Sequence, residues 1–211
     1  MNENDGGCVC EDICQFYIYQ HEKAPEQCAA KVHAEVLEQA REICRTEGTH
    51  ARKIWEAFAP LIDTGGAQKS RVEHIVDFSR SLGVKRIGIA SCLRYIKDAY
   101  FVQGLFQKEG FQVPAVFCKV GGWQTKDIDI EKNTDWIICN PIGQAMILNE
   151  LGCEIEVTLG LCMGHEMIFN KYAEGYVTNL YVKEKISHER PRETVERMMR
   201  GEYDCHFHKS K

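Results

Sequence analysis

Eleven cysteines lie in a chain of 211 residues, and eight of them fall into two patterned groups. Cys92, Cys118, Cys139 and Cys162 follow one another at intervals of 26, 21 and 23 residues, each about the length of one strand-plus-helix unit. Cys8, Cys10, Cys14 and Cys28 crowd the amino terminus as C-x-C-x3-C-x13-C, with His21 between them. Thiolates bind zinc and iron–sulfur clusters, and they also act as nucleophiles and redox centres. The clearest setting for such chemistry is Gly160-Leu161-Cys162-Met163-Gly164-His165-Glu166. An apolar run from Ile155 to Leu161 enters it with strand character, and Glu166 to Tyr172 leaves it with helical spacing. A sulfur at a strand-to-helix turn faces backbone N–H groups and the positive end of a helix, which favour a thiolate, an anion or a metal-bound sulfur.

The bulk numbers narrow the setting. Apolar residues make up 44% of the chain, enough for one good core and a small appendage. A net charge of −5 with no basic stripe argues against a nucleic-acid partner. Met1 to Gly7 is polar and acidic and lacks the apolar region of a signal peptide, and no apolar run reaches the ~20 residues of a membrane span. A soluble, cytoplasmic protein is expected, and in a reducing compartment an odd number of clustered cysteines points to metal or redox chemistry rather than to disulfides.

The elements that position these cysteines follow from periodicity. Val32, Val36, Leu37, Ala40, Ile43 and Cys44 form one apolar helical face closed by Gly48, and a second helix around Arg52 to Phe58 should bury Trp55 and Phe58 and stop or kink at Pro60. Ser70-Arg71-Val72-Glu73 is a capping box opening a helix that buries Val72, Ile75, Val76 and Leu82. Strands are expected at Val84 to Ala90, Gln112 to Phe117, Asp135 to Ile138, Glu154 to Leu161 and Val177 to Val182. Between them come helices at Leu93 to Lys108 and from Asn140-Pro141 to Leu151, where Asn140 is the N-cap and Pro141 the first helical residue. Trp123 to Thr134 is a polar loop long enough to cover a site, and Pro191 to Arg200 is a terminal helix. The expected fold is α/β, an open, mostly parallel Rossmann-like sheet of about five strands behind a helical, cysteine-bearing N-terminal segment. Its expected parts are residues 1–66, a core over 67–185, and a C-terminal helix and tail over 186–211.

In such sheets function collects at the carboxyl ends of the strands. Cys92, Cys118, Cys139 and Cys162 each fall at the carboxyl end of a different expected strand, so all four should share one edge. Three chemistries compete there. Metal ligation by an iron–sulfur cluster, [4Fe–4S] foremost, is favoured. Strands ~4.8 Å apart would spread four adjacent cysteines over ~15 Å, so three ligands, Cys118, Cys139 and Cys162, are easier than four, with Cys92 as fourth ligand or neighbour. Zinc could use the same thiolates with His165 as a nitrogen ligand. Thiol redox chemistry needs no metal. Arg94, Lys119 and Glu166 are candidates for charge contacts with a small-molecule substrate or a redox partner. Cys153, before a strand and at the opposite edge, reads as core, and Cys205 with His206 and His208 as a solvated tail.

The segments Lys85-Arg86-Ile87-Gly88-Ile89-Ala90-Ser91-Cys92, Val116-Phe117-Cys118-Lys119-Val120-Gly121-Gly122, Cys139-Asn140-Pro141-Ile142 and Gly160-Leu161-Cys162-Met163-Gly164-His165 together resemble the family called domain of unknown function 1847. Members of that family are described as predicted metal-binding proteins. The resemblance spans most of the chain. It implies Cys92, Cys118, Cys139 and Cys162 with His165 as the functional set, and Cys8, Cys10, Cys14 and Cys28 as a second cysteine group. The sequence departs from the family in its tighter C-x-C-x3-C start and in Leu-Arg-Tyr-Ile after Cys92, where a glycine-containing turn is usual.

Overall fold

A computed structural model describes residues 7–8, 24–62, 69–130 and 136–202. The chain divides into two compact units, Met1–Gly65 and Gly66–Lys211. In the first, helices α1 (Ala29–Val32), α2 (Ala34–Arg45) and α3 (His50–Ile62) follow one another, and α2 packs on α3. The sequence pattern fails here in the burial of its apolar faces. Val36 is 57% exposed and Trp55 54% exposed, and Val32, Leu37, Ile43 and Phe58 are exposed as well, so these apolar faces find no burial among the described residues. The helix also runs through Pro60, because a proline in the last turn removes only one hydrogen bond before the element ends at Ile62. Cys28 is buried and Cys8 exposed, whereas Cys10, Cys14 and His21 lie outside the described residues.

The second unit is a three-layer α/β fold. Strands β1 (Ile87–Ser91), β2 (Ala115–Phe117), β3 (Ile155–Leu159) and β4 (Tyr176–Tyr181) form one sheet in the order β2-β1-β3-β4. Every strand pairing in it is parallel. Helices α4 (Arg71–Ser81) and α5 (Ile96–Lys108) cover one face, where Ile75, Val76, Val102 and Phe106 pack on Ile87, Ile89, Ile155 and Val157. Helices α6 (Pro141–Glu150) and α7 (Met163–Tyr172) cover the other through Ala145, Leu148 and Phe169. The central strands β1 and β3 are buried along their whole length, the expected reading of apolar runs in a parallel sheet. After a single turn of 3-10 helix at Lys185–Ser187 comes α8 (Pro191–Met199).

Local chemistry explains the element boundaries. The Ser70 hydroxyl accepts from the Glu73 N–H, and the Glu73 carboxylate accepts from the Ser70 N–H at 2.7 Å, so the expected capping box starts α4. Asn140 caps α6 through its side-chain oxygen, 2.8 Å from the Gly143 N–H, with Pro141 as the first helical residue.

The sheet has four strands among the described residues, not five. The segment before Cys139 is not a strand of it. Ile138 N–H instead donates to the Trp123 carbonyl at 2.8 Å, and Ile137 makes a single antiparallel bridge with Gln124. Trp136, an apolar residue that suggested a buried strand, is 79% exposed. A short apolar run joins a sheet only if its backbone groups are not already paired elsewhere. Here residues 136–138 fold back on the loop after β2.

Gly160 tests how tightly the site's edge is built. Its φ is +57°, and a Cβ there would overlap the Tyr95 ring. Gly160→Ala therefore combines left-handed strain with a clash against a buried aromatic, and it should destabilise the protein by about 2 kcal/mol or more in urea unfolding.

Candidate metal centre

The strand order decides how the cysteines meet. β1 leads into α5 on one face and β3 leads into α7 on the other, so the chain diverges between these two neighbouring strands. That divergence is the topological switch point, where open α/β sheets place their ligands. Cys92 follows β1 and Cys162 follows β3, so the two cysteines flank the crevice. Both have extended backbone, with ψ of 138° and 145°, and each stands immediately before the first helical residue of its turn. The sheet ladder continues into the turns: Cys92 N–H donates to Leu159 O at 3.2 Å, and Cys118 N–H to Ser91 O at 2.9 Å.

Cys118 follows β2, on the outer side of Cys92, and is 2% exposed. Cys139 reaches it from a loop rather than from a strand, because Asn140 N–H donates to the Cys118 carbonyl at 2.7 Å. The side chains of Cys139 and Cys92 each lie within hydrogen-bonding reach of Cys118. Gln144, fully buried on α6, bridges the carbonyls of Ser91 at 3.1 Å and Val116 at 2.8 Å. One side chain thus ties together the ends of β1 and β2 and the helix that follows Cys139.

The fourth strand end contributes a cation. Lys183, half-buried and just beyond β4, donates from Nζ to Cys92 Sγ at 2.9 Å and to Cys162 Sγ at 3.4 Å. Its Nζ also lies 5.9 Å from the centre of the Tyr95 ring, and the Tyr95 hydroxyl donates to Glu189. Along the edge the polar groups therefore run Cys139, Cys118, Cys92, Lys183, Cys162. Lys183 carries no motif of its own. The strand-end rule that singled out the cysteines, applied to the strand ending at Val182, would have found it.

The thiols are not alike. Burial alone would raise Cys92, but the Lys183 hydrogen bond, the Arg94 backbone N–H, the Lys183 charge and a hydrogen bond from Cys118 outweigh it and hold the thiol below its ordinary value. Burial pushes Cys118 up to about 11, helped by the neighbouring Cys139 and Cys92 and opposed by the Leu93 N–H, 3.3 Å from its sulfur. The edge thus sets a thiol whose charged form its neighbours favour beside one whose charged form burial disfavours. His165 is held below its ordinary value by burial and by the charges of Lys183 and Lys119, which favours a neutral imidazole with a free lone pair.

Of the remaining candidates, Arg94 acts through its backbone while its side chain is exposed. Lys119 donates to the Ile137 carbonyl, bracing the loop before Cys139. Glu166 accepts from the Asn179 side chain at 2.7 Å, a structural contact. Cys153 is buried toward the opposite edge, against Gly88 and Leu148.

Four thiols and an imidazole are the donors that soft and borderline metals prefer. Their arrangement is elongated, and among the described residues no three Cys, His, Asp or Glu side chains are grouped to hold one ion. A zinc ion draws its sulfurs to about 2.3 Å, whereas Cys118 and Cys162 lie two strand spacings apart, roughly 10 Å. A polynuclear cluster spans such a set with less loop movement than a single ion does. Among the described residues no helix is long and apolar enough to cross a membrane.

Comparison with known sequences agrees with the residue pattern. The chain is 38% identical over 138 residues to an uncharacterised protein of Methanocaldococcus jannaschii (MJ0455), covering 64% of this chain and 70% of that protein. No solved structure matches. The profile of the family described as "protein of unknown function (DUF1847)" matches residues 9–180, and the chain belongs to that family.

Proposed function

We propose that this protein binds metal, as an iron–sulfur cluster at the carboxyl edge of its sheet. The observation that carries the reading is the convergence of Cys92, Cys118, Cys139 and Cys162 from four separate turns onto one edge, with a cation hydrogen-bonded to two of the sulfurs. These four cysteines would hold the cluster, with Cys92, Cys118 and Cys139 already within reach of one another, Cys162 across the crevice and His165 in reserve. Such a centre supplies electron transfer, or Lewis-acid binding of a small molecule where one iron lacks a protein ligand. The chain's part is to hold the thiolates. Lys183 and the Arg94 N–H favour the charged form of Cys92, and Cys118 gives up its proton as metal binds. Cys8, Cys10, Cys14 and Cys28 are a second candidate group, able to pass electrons to the first if both are loaded. The setting is the cytoplasm, with a small-molecule substrate or a redox partner and no nucleic acid. Zinc in a storage or interaction role uses the same donors, but it requires the loops to close further than they do.

A second reading has its own observation. Cys92, lowered by Lys183, stands beside the protonated Cys118, the arrangement of a thiol–disulfide exchanger. The Cys92 thiolate would attack a partner disulfide and Cys118 would resolve the mixed disulfide, leaving the partner as two thiols and this pair oxidised.

Anaerobic purification separates the two. The cluster reading expects a coloured protein with iron and acid-labile sulfide in equal amounts. A colourless protein without iron, in which Cys92 and Cys118 cycle with a disulfide substrate, would replace it with the second.

A further inference from the structure

We propose that Lys183 is a positioning residue for the centre, setting its electron affinity through hydrogen bonds to the sulfurs of Cys92 and Cys162. The proposal rests on the cluster reading above.

The geometry is specific to this lysine. It is the polar group at the end of β4, the outermost strand on its side, and its side chain returns to the crevice between β1 and β3, with Nζ 2.9 Å and 3.4 Å from the two sulfurs that flank the switch point. The carboxylates around it are engaged elsewhere: Glu189 accepts from Tyr95, Asp98 from Tyr181 at 2.8 Å, and Glu184 from Ser187 at 2.5 Å. The hydrogen bonds of its Nζ to Cys92 and Cys162 are both to sulfur.

Thiolate ligation makes a cluster site anionic, and an added electron makes it more so. A cation beside two ligand sulfurs stabilises the reduced state more than the oxidised one, because the Coulomb term grows with the negative charge it faces. Net charge and hydrogen bonds to sulfur are the terms by which proteins set these potentials. The couple is a one-electron step with no bond made or broken, and the electron comes from an external one-electron donor. The sequence motifs identify ligands. Lys183 would identify a group that makes this centre easier to reduce.

The test uses the full chain, loaded anaerobically and titrated with mediator dyes while the cluster absorption is followed. With potentials compared on the loaded fraction alone, Lys183→Met should be harder to reduce than the parent, its reduction equilibrium falling at least about tenfold, or about 59 mV for one electron. Lys183→Arg should restore most of that loss. A Lys183→Met protein with the parent's potential would overturn the proposal and leave the cluster reading standing. A parent protein that binds no cluster would overturn both. If Lys183→Met does not load, Lys183→Gln, which keeps a hydrogen-bond donor without the charge, takes its place. A parent-like potential or a failure to load in Lys183→Gln would count against the proposal, and a lowered one for it.

Discussion

Cys118→Ser should abolish loading of the centre, and it is the substitution with the largest expected effect on metal content. Cys118 occupies the middle of the thiol set, with Cys139 on one side and Cys92 on the other. It is almost fully buried, so water cannot replace its sulfur without opening the turns around it. A serine hydroxyl is a hard, weakly acidic donor that soft metals bind poorly. Loss of a group that merely supports a ligand costs about 10–100-fold in metal affinity, and loss of a central ligand should exceed that. Bound iron per chain, measured after anaerobic reconstitution, should fall at least about tenfold. Cys153→Ser is the control: it removes an equally buried thiol toward the other edge and should leave the iron content unchanged. The Cys118 thiol is pushed up to about 11, so metal must displace its proton, and reconstitution should improve as pH rises toward that value.

Glu156→Gln should produce the largest change in stability. Glu156 lies in the middle of β3 with no solvent exposure. One oxygen accepts from the Gly175 N–H at 3.0 Å, and the other has no partner among the described residues. Burial, with Glu174 adding to it and the Gly175 N–H opposing it, raises its carboxyl from 4.5 to about 7. Between those two values the unfolded chain ionises while the folded protein keeps its proton. The folded state therefore binds more protons, and stability falls as pH rises through that window. Above about 7 the full penalty applies, of the order of 3 kcal/mol. Glutamine keeps the acceptor for Gly175 and cannot ionise, although its amide N–H groups enter a site without an acceptor for them. Urea unfolding at about pH 5 and about pH 8 should show a steeper loss of stability in the parent than in Glu156→Gln, and equal slopes would contradict the assignment.

Much of this architecture was legible because it depends on local rules. The capping box at Ser70 and Glu73, the Asn140-Pro141 helix start, and the face of α5 formed by Ala99, Val102 and Phe106 each follow from spacing within one element. Parallel topology followed from the alternation of strand and helix, and with it the placing of Cys92, Cys118 and Cys162 at one edge. What escaped depends on neighbours remote in sequence. Trp136 to Ile138 has the composition of a strand, but it pairs with Gln124 and Trp123 in the preceding loop. Cys139 therefore arrives beside Cys118 by way of a loop. The apolar faces of α2 and α3 have helical spacing, but spacing does not supply a partner to bury them. The strand-end rule could have marked Lys183, but its meeting with Cys92 and Cys162, like the bridging role of Gln144, comes from the strand order β2-β1-β3-β4. A lysine just past a strand and a glutamine inside a helix are ordinary residues until the sheet brings sulfur and strand-end carbonyls to them.

The central claim is that the strand-end cysteines hold a cluster without help from the amino-terminal ones. Mössbauer spectroscopy on iron-57-reconstituted full chain in which Cys8, Cys10, Cys14 and Cys28 are all serine tests it most directly. The spectrum of a cluster is expected in that variant, and its loss when Cys92, Cys118, Cys139 and Cys162 are replaced as well. A spectrum that disappears with the amino-terminal cysteines and survives replacement of the strand-end set would contradict it.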